Sequence, residues 1–201
     1  AQSLFEETMS KGIIDPFILQ GWHYQQFYYL NKDWILNQTK QHNELDDKFW
    51  NAFMGGVSQR SPISDRQVYD LMYPHYIKAI ERGTQFKGLH RFGLTRHLAT
   101  YLFWGFEDIR DDNLITLFLG KASPELIKNL TNFISSQKDF MSSLDNEPEK
   151  DAFRQKITDL WSFILKRFQE KDNKDANELK ASLTGLMVYF KKINEDNVDL
   201  I

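Results

Sequence analysis

The chain has no cysteine. That excludes disulfides, thiolate nucleophiles and cysteine-ligated zinc or iron–sulfur centres, and it fits a reducing compartment, so a cytoplasmic location is the expectation. No apolar run approaches the ~18 residues that a membrane-spanning helix needs. The opening Ala1-Gln-Ser-Leu-Phe-Glu-Glu7 lacks the basic-then-apolar form of a signal peptide, and no membrane partner is expected. Net charge is small, -3 with an isoelectric point near 6.0, so nothing draws the whole molecule to nucleic acid or anionic lipid. Strand signals are few.

Motifs for chemistry are also missing. There is no phosphate-binding glycine loop: Gly120-Lys-Ala-Ser123 has a Gly-Lys pair, but alanine stands where a hydroxyl would hold Mg²⁺. It reads instead as a helix C-cap leading into the next N-cap. No nucleophile elbow, H-E-x-x-H or E-x-x-H pattern occurs, and no catalytic residue or cofactor can be named. The five histidines are His23, His42, His75, His90 and His97. His90 and His97 could share a helix face, but roughly 10 Å of axial rise keeps them from binding one ion on a straight helix. No metal is expected.

What is present is a succession of amphipathic helix patterns in a chain of 201 residues, 41% hydrophobic and 26% charged. Phe153, Ile157, Leu160, Trp161, Ile164, Leu165 and Phe168 fall on one helical face. Leu126, Ile127, Leu130, Phe133 and Ile134 repeat the pattern. Asp15-Pro16, Ser61-Pro62, Ser123-Pro124 and Asn146-Glu-Pro148 read as helix starts. Helices are predicted near 2–10, 16–38 with a break, 44–55, 65–82, 90–105, 111–120, 124–138, 148–170 and 175–193. In the fifth of these, Leu94, Leu98, Ala99, Tyr101, Leu102, Phe103 and Trp104 leave few polar positions, which predicts burial on nearly all sides. Short turns favour antiparallel neighbours. The expectation is an all-α domain over 1–201, its helix hairpins stacked as a short α-solenoid or closed into a bundle. Trp50, Trp104 and Trp161, at intervals of 54 and 57 residues, hint at a long repeat. Opening inside a helix pattern and closing on Asp199-Leu-Ile201, the chain reads as a piece of something longer.

Phe49-Trp-Asn-Ala-Phe-Met-Gly-Gly56, Ser64-Asp-Arg-Gln-Val-Tyr-Asp-Leu-Met72, His97-Leu-Ala-Thr-Tyr-Leu-Phe-Trp-Gly105, Leu114-Ile-Thr-Leu-Phe118, Ala122-Ser-Pro-Glu-Leu126 and Leu160-Trp161 together resemble a helical-repeat region of large bacterial multidomain proteins. There such a region follows an NTPase-like or Sir2-like effector domain, and several of those proteins are linked to antiphage defence. The resemblance spans about 44–190 and implies a sensing or assembly module without its catalytic domain.

Two local features bear on binding. Residues 60–97 are net basic, and Arg66, Arg82, Lys87, Arg91 and Arg96 could form a phosphate-binding patch with Tyr73, Tyr76 and Phe86 for stacking. A solvated face balanced by Glu107, Asp108, Asp111 and Asp112 accounts for the same residues. The aromatic run Trp22-His-Tyr-Gln-Gln-Phe-Tyr-Tyr-Leu30 suggests a ligand cage, but helical spacing assigns it to inter-helix packing. Tyrosines left over on an exposed face would instead favour partner binding. The sequence thus predicts a non-catalytic module that binds a protein partner or other domains of its parent, with nucleic-acid binding through 60–97 as the alternative.

Overall fold

The structure, a computed structural model, describes residues 2–42, 44–83, 89–109, 112–169, 180 and 183–190, without the side chains of Gln2, Leu89, His90, Arg91, Phe92 and Phe168. Among these residues every regular element is helical. The order is α1 (Gln2–Ser10), α2 (Asp15–Trp22), α3 (Tyr24–Leu30), α4 (Lys32–His42), α5 (Asp47–Gln59), α6 (Arg66–Glu81), α7 (Leu89–Phe103), α8 (Leu114–Lys121), α9 (Pro124–Ser136), a 3-10 helix (Lys138–Ser143) and α10 (Glu147–Gln169). Most of the predicted 175–193 helix lies outside the described residues, and Met187–Tyr189 forms a 3-10 turn. No described helix is long and apolar enough to cross a membrane. The chain divides into two compact units, 1–97 and 98–201.

Local chemistry sets the boundaries. Asp65 caps α6, its Oδ1 accepting from the amides of Gln67 and Val68 at 2.8 and 3.1 Å, and Ser123 caps α9 through the Leu126 amide. Asn146 accepts from the Glu149 amide at the start of α10. Ser61-Pro62, by contrast, starts no helix. Arg60 is extended there, and its carbonyl is held by Arg96 Nη2 at 2.7 Å and His97 Nε2 at 2.9 Å, so the chain stays open until the Asp65 cap. Trp104 departs from its predicted burial and is 43% exposed. Gly105 takes φ +72, the amides of Gly105 and Phe106 turn back to the carbonyls of Leu102 and Tyr101, and Phe106 stacks on Tyr101. This αL cap ends α7 and turns Trp104 outward. Gly120 makes no such cap, lying within the last turn of α8.

In the first unit α5 is approached at backbone distance from two sides. A Cβ on Gly21 of α2 would lie 2.0 Å from the Phe53 carbonyl oxygen, and one on Gly56 would lie 2.1 Å from that of Ile18. Gly93 of α7 meets the Ser58 carbonyl in the same manner. Around these crossings Phe17, Tyr24, Ile35, Trp50, Phe53 and Met72 are buried. In the second unit most described positions of the predicted α9 and α10 stripes are buried, with Ile127, Leu130, Ile134, Ile157, Leu160 and Ile164 fully so. Phe103 stacks on Phe153 at 5.2 Å, and the Trp161 indole N–H donates to the Leu183 carbonyl at 3.2 Å.

Candidate functional site

Between Asp15 and Lys32 the chain carries no Asp, Glu, Lys or Arg. This uncharged stretch makes α2 and α3, and its two sides differ in an unexpected way. The inward side is Phe17, Gln20, Gly21, Tyr24 and Tyr28, all buried. The outward positions recur at helical spacing, and they hold Ile18 (36% exposed), Leu19 (50%), half-buried Trp22, Tyr29 (63%) and Leu30 (80%). Small and polar residues therefore occupy part of the packed side while large apolar ones face out. The inversion follows from the close crossing, because only a residue without a Cβ fits at Gly21.

The face is fixed at both ends. The Arg60 guanidinium lies over the Trp22 ring at 5.5 Å. At the other end α3 is tied to the start of α6: the Tyr29 hydroxyl donates to Asp65 Oδ2 at 3.1 Å, Gln25 Nε2 to Ser64 Oγ at 3.1 Å, and the Tyr28 hydroxyl to Gln67 Oε1 at 2.9 Å. Trp, Tyr and Arg at the edge of an apolar row are the residue types that dominate binding hot spots. The predicted packing role of the aromatic run holds for Tyr24 and Tyr28, while Tyr29 is the surplus tyrosine. The legible signal for this face is the missing charge between Asp15 and Lys32 combined with more apolar positions than one helix side needs.

Three side chains of the predicted basic set lie among the described residues, Arg66, Arg82 and Arg96. Arg66 and Arg82 lie at opposite ends of α6, about 24 Å apart along its axis at the usual rise. Arg66 is bonded to Asp70 at 2.9 Å and lies over the Tyr69 ring. Arg82 pairs with Asp47 at 2.7 Å and covers the Trp50 ring beside Lys78. Arg96 is turned to the Arg60 carbonyl. Lys87 lies outside the described residues, as does the side chain of Arg91.

A second concentration of polar groups sits inside the first unit. His97 Nε2 faces the Arg60 carbonyl, which can only accept, so the ring proton is there and Nδ1 accepts from the Tyr76 hydroxyl at 2.8 Å. The Trp50 indole N–H, which can only donate, reaches His75 Nδ1 at 3.0 Å, so His75 carries its proton on Nε2. His42 places Nδ1 against the Gln38 carbonyl and Nε2 2.6 Å from Gln20 Oε1. Burial is the main cause that pushes all three imidazoles down to about 4. It also pushes the Tyr24 hydroxyl up to about 12, against its bond to Thr39. Among the described residues no three metal-ligating side chains cluster. His90, the other half of the considered histidine pair, has its side chain outside the described set.

No protein-family model, curated protein or solved structure matches the chain.

Proposed function

We propose that the chain is a non-catalytic interaction module of a larger bacterial protein, its helix hairpins stacked as a short solenoid, and that its first unit docks a protein partner on the outward side of α2 and α3. The observation that supports this is the exposed apolar row itself. Ile18, Leu19 and Leu30 leave much of their apolar surface exposed because α2 already meets α5 with its other side, while Trp22 and Tyr29 are held at the edges of the row. The partner is a protein segment with its own apolar stripe, such as an amphipathic helix. The stretch between Asp15 and Lys32 supplies no Lys or Arg of its own, and the Arg60 guanidinium at its edge lies over the Trp22 ring, so cations for a run of phosphates are few, which favours protein over nucleic acid.

The test is a capture experiment from lysate of the native host with and without nuclease, comparing the wild-type chain with Leu19→Glu/Leu30→Glu. A protein retained by the wild type and lost by the double variant, with helical circular dichroism unchanged, is the expected result. Equal retention by both sinks the face. Capture that disappears with nuclease would shift the assignment to the basic segment and to nucleic acid.

A further inference from the structure

The three buried histidines differ in what a second proton would do to their hydrogen bonds. His42 faces the Gln38 carbonyl and the side-chain amide of Gln20, and a primary amide can present either its N–H or its oxygen, so a doubly protonated ring would still be paired. His97 faces a carbonyl and the Tyr76 hydroxyl, and a hydroxyl can turn from donor to acceptor. His75 has no such freedom. Its Nδ1 faces the indole N–H of Trp50, a donor that cannot reverse, and both side chains are almost completely buried. A proton at Nδ1 therefore sets two N–H groups against each other inside the core.

Among the described residues no carboxylate acts on that charge. From α4 the group facing His75 is His42, ring centroids 6.5 Å apart and perpendicular, and it acts against the charged form. From α6 itself Lys78 also opposes it, with Arg82 further along the same helix and both cations over the Trp50 ring at 4.8 and 4.9 Å. On α5 Asp47 is already paired with Arg82 and largely exposed, and Lys48 lies over the Phe49 ring. From α2 comes only the neutral Gln20 beside His42. A backbone hydrogen bond to Thr39 favours the charged ring, but less than burial disfavours it. All five histidines of the chain lie in 1–97 and none in 98–201.

We propose that the Trp50–His75 bond is an acid-release latch: proton uptake at His75 Nδ1 breaks it and loosens α5 from α6 in the first unit, while the second unit keeps its packing. Trp22, Trp34 and Trp50 report on the first unit, and Trp104 and Trp161 on the second. The experiment is fluorine NMR of the full chain labelled with 5-fluorotryptophan, each resonance assigned by a Trp→Phe variant, titrated from about pH 7.5 to about pH 4. The Trp50 resonance should change between about pH 6.5 and 4 with Trp104 and Trp161 unmoved, and His75→Gln, which keeps an acceptor without a titrating ring, should shift that change down by at least about half a pH unit. A Trp50 resonance that stays constant to pH 4, or that moves at the same pH in His75→Gln, overturns the latch. If His75→Gln fails to fold at neutral pH, nitrogen-15 spectra of the wild-type histidines decide instead. The proton of His75 must sit on Nε2 at pH 7.5, and an Nδ1–H tautomer overturns the proposal.

Discussion

One methyl group added at Gly21 would lie 2.0 Å from the Phe53 carbonyl oxygen, closer than any real side-chain contact, and the obstacle is helix backbone that cannot rotate away. Gly56 faces Ile18 in the reciprocal arrangement. Gly21→Ala and Gly56→Ala should therefore each cost about 3 kcal/mol or more as α2 and α5 are forced apart. Because the first methyl already separates the helices, the double variant should cost clearly less than the two singles together, which urea unfolding of all three variants would measure. His97 is a residue of a different kind, since its two nitrogens hold the Tyr76 hydroxyl and the Arg60 carbonyl at once. His97→Phe takes away the acceptor of the buried Tyr76 hydroxyl and one of the two donors to the Arg60 carbonyl, and a loss of about 1 to 3 kcal/mol by the same method is expected.

Among the elements, the helix caps and stripes were the most legible part of the sequence. Ser123-Pro124 and Asn146-Glu-Pro148 start α9 and α10 as predicted because each places a side-chain acceptor beside free helix amides. Ser123→Ala and Asp65→Ala should each lower stability by about 1 kcal/mol, read as a shifted denaturant midpoint with an unchanged slope. The apolar stripes of α9 and α10 were legible for the same reason, as one face of each had to be buried. Illegible were features that depend on distant partners. Ser61-Pro62 looks like a helix start until Arg96 and His97 are seen to hold the Arg60 carbonyl. For the outward face of α2 and α3 the missing charge between Asp15 and Lys32 marks the stretch but not the side, because periodicity assigns apolar residues to the core while Gly21 and Gln20 take the inside instead. That Arg66 and Arg82 stand at opposite ends of α6 was equally illegible, because local charge composition carries no information about position along a helix.

At the scale of the whole molecule, pH separates the two units. The three buried imidazoles are neutral in the folded state and held down to about 4 by burial, against 6.5 unfolded. Below pH 6.5 the unfolded chain binds more protons than the folded one, so stability is unaffected above that pH and falls as the pH drops from 6.5 towards 4. By pH 4 each group removes about 3 kcal/mol, which for three groups is comparable with the whole stability of a typical domain. Acid unfolding followed by circular dichroism should therefore begin in the first unit, within that window. The prediction fails if helicity in 1–97 survives unchanged to pH 4.

The most direct test of the central claim, that the outward side of α2 and α3 is a docking face and not part of the fold, is the nuclease-treated capture with wild type and Leu19→Glu/Leu30→Glu in parallel. Both positions are exposed, so the double variant should unfold within about 0.5 kcal/mol of wild type per site while losing a protein partner that the wild type retains. Retention of the same partner by the folded double variant would contradict the account.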